Sequence, residues 1–371
     1  NLDLIMESSS SKIIVLVINC LQGCGAEKSV LTLAEGFYQL GYEVHVLRFK
    51  PRADYDLSPH IHFHVLRFHS YKFLMTRAMR YKIFARSVDK YILKHIGKPL
   101  LTISNLERAD KVLSHSKLPN VFHVIRNTMS EEINFSKIQN KQINLNELRK
   151  IYQNHQCIAI SEGVALDFKK TLGLENIETI YNPIDADAIQ QMAEEYSVAD
   201  EDFFVHVGKF KYQKAHDTLL KAYAKTSKRY PLYLVGQGQL MEDMKQLATE
   251  LDIISHVKFI GFKSNPYPYI KNAKFLVLCS RFEGFGRVIA EALAVDTPVI
   301  STNCPYGPSE LLPAKNLVAV DDVDALARLL DKAMQAPQDF SVPFDKAFLP
   351  INIASQYLAL LDVMPVDKQS T

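Results

Sequence analysis

Between residues 275 and 300 the chain changes period three times. An apolar run, Phe275-Leu276-Val277-Leu278, gives way to Arg281-Phe282-Glu283-Gly284-Phe285-Gly286. A stretch at helical spacing follows, Arg287-Val288-Ile289-Ala290-Glu291-Ala292-Leu293, and then Thr297-Pro298-Val299-Ile300. This order reads strand, glycine-punctuated loop, short helix, strand. The glycines on either side of Phe285 let the backbone approach a ligand closely. A helix that starts directly after them turns its free N–H groups and positive dipole end toward the loop. Such a turn can hold a phosphate. Glu283 before the helix and Glu291 inside it suit a ligand that combines an anion with several hydroxyls.

The same grammar opens the chain. Residues 12–18 form a near-continuous β-branched run, as expected of a parallel strand covered on both faces. The turn Gly23-Cys24-Gly25-Ala26-Glu27 follows. Val30, Leu31, Leu33, Ala34, Phe37 and Leu40 then recur at helical spacing, and Gly41 stops the helix before a second strand at 43–49. The turn lacks the third glycine of the dinucleotide fingerprint, and the second strand ends Leu47-Arg48-Phe49-Lys50 with no acid, which disfavours a nicotinamide cofactor. Further strands are expected at 100–104, 121–125 and 157–161, with Asn105 and Arg126-Asn127 at carboxyl ends, where open parallel sheets place ligands.

Tyr181-Asn182-Pro183-Ile184-Asp185 interrupts the pattern, and proline there favours an extended crossing. The alternation then restarts at 203–208 and continues through strands at 232–235, 257–261 and 297–301, with helices at 217–227, 324–334 and 353–361. Two doubly wound domains are expected. They divide into 1–10 as a leader, 11–182 as the first domain, 183–345 as the second, and 346–371 as a terminal helical segment. A length of 371 residues agrees with two cores.

Composition excludes several classes. A net charge of +2 with mixed signs argues neither for a nucleic-acid binder nor for disorder, and no nucleic-acid partner is expected. Five scattered cysteines suit buried thiols in a reducing cytosol better than disulfides. No apolar run reaches the roughly 18 residues of a membrane span. A cytoplasmic address is the default. One local exception is residues 67–98, where nine lysines and arginines stand against the single Asp89. Interleaved Phe73, Leu74, Tyr81, Ile83 and Phe84 give it the character of a basic amphipathic helix that can lie on anionic lipid. A solvated helical face over a core stripe fits equally well.

Lys209 and Lys214 leave the end of the 203–208 strand. With a helix start in the same half, two cations and a dipole can neutralise a diphosphate. Arg287 stands four residues before Glu291, so an ion pair on the helix is the plain alternative to ligand binding for Glu291. Glu283, in the loop, has no such helical partner. His206 lies among apolar neighbours and reads as a core histidine; His123 is ambiguous. No histidine cluster stands at metal-ligand spacing, so metal-independent chemistry is expected.

The ordered set of these motifs resembles the retaining glycosyltransferases of family four. Glu283 to Glu291 is similar to that family's Glu-x7-Glu signature. The turn at 23–27, Tyr181-Asn182-Pro183-Ile184, Val207-Gly208-Lys209 with Gln213-Lys214, Val235-Gly236-Gln237-Gly238, Glu291-Ala292-Leu293-Ala294 and Gly307-Pro308-Ser309-Glu310 agree with it. The resemblance implies a GT-B architecture, two Rossmann-like domains facing a cleft, with the acceptor on the first and the nucleotide sugar mainly on the second. The last helix would cross back to the first domain. It implies that Lys209 and Lys214 bind the donor diphosphate, Glu291 the ribose and Glu283 the transferred sugar. Backbone groups of Phe285, Gly286 and Arg287 would complete the phosphate site, with Gly208, Gly238 and Phe262 in the same donor pocket. Gly23 and Gly25 would border it from the first domain. Two departures stand out. Lys209 replaces the family's usual arginine, keeping the charge but not the fork. The first-domain histidine that often touches the donor sugar is missing; Arg126 is assigned its place, with His123 the alternative.

The expected activity is metal- and cofactor-independent transfer of a sugar, with retention, from a UDP-linked donor to a glycan or glycolipid hydroxyl in bacterial surface polysaccharide assembly. The basic segment adds peripheral contact with the inner face of the cytoplasmic membrane. Two other readings stay open: a sugar-nucleotide epimerase of the same fold, and a non-catalytic carbohydrate-binding or membrane adaptor.

Overall fold

The structure is a computed structural model and describes residues 11–22, 25–54, 57–68, 76–138, 143–198 and 201–363. Its first sheet contains β1 (Ile13–Ile18), β2 (Glu43–Arg48), β3 (His62–Val65), β4 (Leu101–Asn105), β5 (Val121–Ile125), β6 (Gln156–Ala159) and β7 (Ile177–Thr179). They lie in the order β3-β2-β1-β4-β5-β6-β7, all parallel. The second sheet contains β8 (Phe204–Val207), β9 (Leu232–Val235), β10 (Val257–Gly261), β11 (Leu276–Leu278), β12 (Val299–Thr302) and β13 (Leu317–Val318). Their order is β10-β9-β8-β11-β12-β13, again all parallel. The repeated strand-helix grammar predicts this doubly wound pair. Within each sheet the order reverses beside the first strand, at β1/β4 and at β8/β11. The crevice outside those carboxyl ends is where such sheets bind ligands.

The central strands are buried on both faces, which is why they read as unbroken apolar runs. β3 was not expected, for a physical reason. It is an edge strand, His62-Phe63-His64-Val65, with no buried residue and therefore no apolar run. β7 and β13 are too short, at three and two residues, to show a period.

Helix Arg77–His95 occupies the middle of the basic segment; residues 69–75, also within it, lie outside the described residues. Thr76 caps it by accepting from the Met79 amide at 3.3 Å. Phe84, Ala85, Val88 and Ile92 pack its inner stripe on Val15, Val17, Leu47 and Phe49 of the sheet. Lys82, Arg86, Lys90 and Lys94 are exposed at a spacing of four, a row inclined to the helix axis along its outer side. Asp89 is turned inward, accepting from Ser116 Oγ at 2.6 Å and the Lys117 amide at 2.8 Å.

The chain returns to the first domain at its end. Helix Pro350–Val363 lies across helix Gly25–Gln39, with the Tyr357 ring 6.1 Å from Phe37. A Cβ on Gly36 would stand 2.3 Å from the Pro350 carbonyl oxygen, so only glycine permits this crossing. Tyr181, Phe285 and Phe348 bring the interdomain connection, the glycine loop and the returning segment together, with ring centroids 5.4 to 5.8 Å apart.

Candidate active site

A cleft of about 480 Å³ opens between the carboxyl ends of the two sheets. Gly25, Lys28, Arg126 and Asn127 line it from the first domain, and Gly208, Lys209, Lys214, Glu283, Gly286 and Glu291 from the second.

Glu283 follows β11 and is nearly buried. Its Oε1 accepts from Lys214 Nζ at 2.6 Å and from Ser280 Oγ at 2.5 Å. Lys214 ends the short 3-10 helix Tyr212–Lys214 after β8. Strand ends from the two sides of the β8/β11 reversal therefore contribute the two charges of one buried ion pair, which the sequence reading had placed in separate roles. Behind it, His206 is buried with Nδ1 against the Val277 carbonyl at 2.9 Å, and burial pushes its pKa down to about 4. It is a core histidine.

Gly286, with φ at 78°, starts helix Arg287–Leu293 with no side-chain cap. One turn on, Glu291 Oε1 accepts from Arg287 Nε at 2.9 Å and from the Tyr267 hydroxyl at 3.1 Å. The i,i+4 pair is thus real, and it does not remove Glu291 from the cleft. Arg287 reaches further: its Nη1 donates to Ser29 Oγ and to the Pro183 carbonyl, both at 2.9 Å. Lys28 Nζ stands 3.9 Å from Glu291 Oε1. Sequence reasoning missed Lys28, Ser29 and Tyr267. The available signal was position alone: residues 28 and 29 occupy the first turn after the glycine turn and so face the cleft.

Arg126 extends past β5 into the cleft. Its Nη1 donates to Asn182 Oδ1 at 2.9 Å and its Nη2 to Asn105 Oδ1 at 2.6 Å, while burial pushes its pKa down to about 10, still a cation at neutral pH. His123 does not reach the cleft. It is fully buried, with Nδ1 held by Asp110 Oδ1 at 2.9 Å, and Asp110 is itself engaged by Ser104 and Tyr152. Alternation along β5 accounts for the difference, because the strand ends at Ile125 and Arg126 is free to turn outward.

The two domains touch beside the site. Ser161 Oγ donates to the Gly284 carbonyl at 2.6 Å, and Thr128 Oγ1 to the Glu283 carbonyl at 3.1 Å. A Cβ on Gly284 would lie 2.2 Å from the Arg126 carbonyl oxygen. Glu310 accepts from the amides of Glu162 and Gly163, at 2.9 and 3.0 Å, and from the Tyr181 hydroxyl at 2.8 Å.

Among the remaining expected residues, Gly25, Gly208, Lys209, Phe262, Phe285 and Arg287 also line the cleft, Phe262 with half its surface exposed. Gly238 does not; Gly236 and Gln237 do, and Gly238 instead lets the Phe210 backbone approach, its Cβ position being 2.4 Å from the Phe210 carbonyl oxygen. Gly23 and Cys24 lie outside the described residues. Cys20, Cys157, Cys279 and Cys304 are buried and free. Among the described residues no group of three or more His, Cys, Asp or Glu is placed to hold a metal ion. The chain has Asp-x-Asp pairs at Asp54/Asp56, Asp185/Asp187, Asp200/Asp202 and Asp322/Asp324. Asp56 and Asp200 lie outside the described residues, and Asp185 and Asp322 each cap a helix, accepting from the amides of Ala188 at 3.0 Å and Ala325 at 2.8 Å. Among the described residues no helix is long and apolar enough to cross a membrane.

Comparison with known proteins covers both halves. A sequence model described as Glycosyltransferase Family 4 matches residues 23–188, and one described as Glycosyl transferases group 1 matches residues 188–345. The chain is 26% identical over 373 aligned residues to the N-acetylgalactosamine-N,N'-diacetylbacillosaminyl-diphospho-undecaprenol 4-alpha-N-acetylgalactosaminyltransferase of Campylobacter jejuni, covering 93% of this chain and 98% of that one. It is 29% identical over 162 residues to the lipopolysaccharide 1,6-galactosyltransferase of Salmonella typhimurium, covering 42% and 45%. Anabaena Alr3699/HepE, solved with UDP-glucose, superposes with a TM-score of 0.74 at 19% identity over 95% of this chain and all of that one, which shows a shared fold.

Proposed function

The chain belongs to the glycosyltransferases of the GT-B, family-four-like kind, and on that premise we propose that it transfers a hexosyl or N-acetylhexosaminyl group, with retention of the α configuration, from a UDP-sugar to a lipid-linked or lipopolysaccharide glycan. The observation that carries the reading is the Glu283–Lys214 pair, set at the reversal point of the second sheet and facing Arg126 of the first across one cleft. The Campylobacter and Salmonella relatives support the acceptor class, and the UDP-glucose bound to the Anabaena fold relative supports the donor class.

In this mechanism the donor diphosphate lies against Lys209, Lys214 and the start of helix Arg287–Leu293. The bond between the sugar's anomeric carbon and the phosphate oxygen breaks, and the acceptor oxygen bonds that carbon on the same face. The acceptor proton passes to the departing phosphate oxygen, so no protein nucleophile is consumed. Charge develops on the diphosphate, and cations already fixed in the cleft stabilise it without reorganising. Glu283 does two things: it holds Lys214 in place and accepts from hydroxyls of the sugar. Arg126 faces the sugar from the first domain, tied by Asn105 and Asn182. These cations take the role a divalent ion plays elsewhere, so activity should survive EDTA.

The row Lys82, Arg86, Lys90 and Lys94 supports peripheral attachment to an anionic membrane, where a lipid-linked acceptor resides. The activity is tested by incubating the protein with UDP-hexoses and UDP-N-acetylhexosamines and a lipid-linked or core-oligosaccharide acceptor, reading the new anomeric linkage by proton NMR. An α linkage with any one donor supports the proposal. A β linkage contradicts retention, and donor isomerised without acceptor contradicts transfer.

A further inference from the structure

Lys28 and Ser29 belong to the first turn of helix Gly25–Gln39 in the first domain, yet both are engaged by the second. Ser29 Oγ accepts from Arg287 Nη1 at 2.9 Å, and the same arginine holds Glu291 Oε1 through Nε at 2.9 Å. Lys28 donates to the Tyr267 hydroxyl, lies 4.2 Å from the centroid of that ring, and stands 3.9 Å from Glu291 Oε1. The Tyr267 hydroxyl in turn is 3.1 Å from the same Oε1. Arg287, Tyr267 and Lys28 therefore converge on one oxygen of Glu291. Its other oxygen, Oε2, carries no hydrogen bond among the described residues, and Glu291 lines the cleft.

A carboxylate saturated on one oxygen and open on the other is a fixed, directional acceptor. Holding it that way requires a cation taken partly out of water, and burial does lower the Lys28 pKa. Arg287 supplies one cation from the same helix at 2.9 Å, and Lys28 adds a second from the opposite domain at 3.9 Å. Resting on the donor reading above, in which Glu291 receives the ribose, we propose that Lys28 is a donor-positioning residue: it fixes Glu291 through Oε1, presents Oε2 to the nucleoside, and makes nucleotide affinity depend on contact between the domains. Coupling of this kind is a difference in binding free energy between the joined and separated arrangements, and it is reciprocal: bound nucleotide holds the domains together.

The test is calorimetric titration of UDP into the wild-type protein and the Lys28→Met, Lys28→Arg, Glu291→Gln and Lys28→Met/Glu291→Gln variants, with the unfolding midpoint read on the same samples. Lys28→Met should weaken UDP binding by about tenfold, within the usual range of coupling between sites. It should raise the donor KM while leaving kcat at saturating donor nearly unchanged, and Lys28→Arg should restore part of the affinity. In the Glu291→Gln background the Lys28 substitution should add almost nothing, because the residue acts through that carboxylate. A Lys28→Met protein that binds UDP as the wild type does, even with a lowered unfolding midpoint, overturns the proposal and leaves Lys28 a packing residue. So do losses that multiply in the double variant. A wild-type protein that binds none of UDP, GDP and ADP overturns the donor reading itself, an outcome distinguishable from failure at Lys28 alone.

Discussion

The ammonium of Lys214 lies 2.6 Å from Oε1 of Glu283, and that oxygen also accepts the Ser280 hydroxyl at 2.5 Å. Both charged side chains are nearly buried, so neither can lose its partner cheaply. The pair fixes a cation in the cleft, and in the mechanism proposed above that cation is the preorganised charge that stabilises the leaving diphosphate.

Replacing Lys214 by alanine should lower kcat by ~10²- to 10³-fold, the cost of removing one fixed donor to a developing anion. Replacing Glu283 by glutamine keeps the shape but leaves the ammonium unpaired, and should destabilise the protein by about 3 kcal/mol while also reducing activity. Steady-state kinetics and denaturant unfolding of the two variants check both statements.

Gly284→Ala tests the closeness of the domains. The added Cβ would fall 2.2 Å from the Arg126 carbonyl oxygen, so the loop must retreat and the Ser161–Gly284 contact must lengthen. A displacement of this size at the reacting centre should cost about 10²-fold in kcat/KM. Circular dichroism should show both sheets intact, and small-angle scattering should show a larger radius of gyration.

How much of this the sequence shows depends on which residues are asked. The central strands were legible because burial on both faces writes unbroken apolar runs, and Gly284, Gly286 and Glu291 because the loop-to-helix transition is sharp. The edge strand β3 was not, because its histidines follow no buried period. Lys28 and Tyr267 illustrate the harder limit. They are 239 residues apart, and their contact exists only because the domains face each other, which no local pattern encodes. The choice between Arg126 and His123 needed the structure for a related reason: whether a side chain at a strand's end turns into the cleft or the core is set by the register of β5 and by Asp110, which claims His123.

Glu310 should act as a latch. It carries two first-domain amides and the Tyr181 hydroxyl, and Glu310→Ala leaves these donors unmatched. The expected loss is ~1–3 kcal/mol in urea unfolding. Tyr181→Phe in the Glu310→Ala background should add little, since the two share one interaction.

Acid should unfold the protein through its buried histidines. His206 and His155 each have a folded pKa of about 4 against an ordinary 6.5, because burial disfavours the charged ring. Depressed values mean that the unfolded chain binds these protons first. Stability is therefore full above pH 6.5 and falls as pH drops from there through 4. Buried Glu27, whose pKa is raised, works in the opposite sense at the acidic end. His206→Asn should flatten the decline measured by urea unfolding across that window.

The most direct measurement is a thermal-shift titration with UDP, GDP, ADP and their sugar conjugates, run on the wild type and on Lys214→Ala. A ligand held only by the folded protein at ~100 times its Kd adds about 2.7 kcal/mol. For a chain of this length that should raise the unfolding midpoint by roughly 3–4 °C. The predicted result is a rise with UDP and with one or more UDP-sugars that shrinks in Lys214→Ala. No shift with any nucleotide, or an equal shift in both proteins, would contradict the assignment of the cleft to a nucleotide-sugar donor.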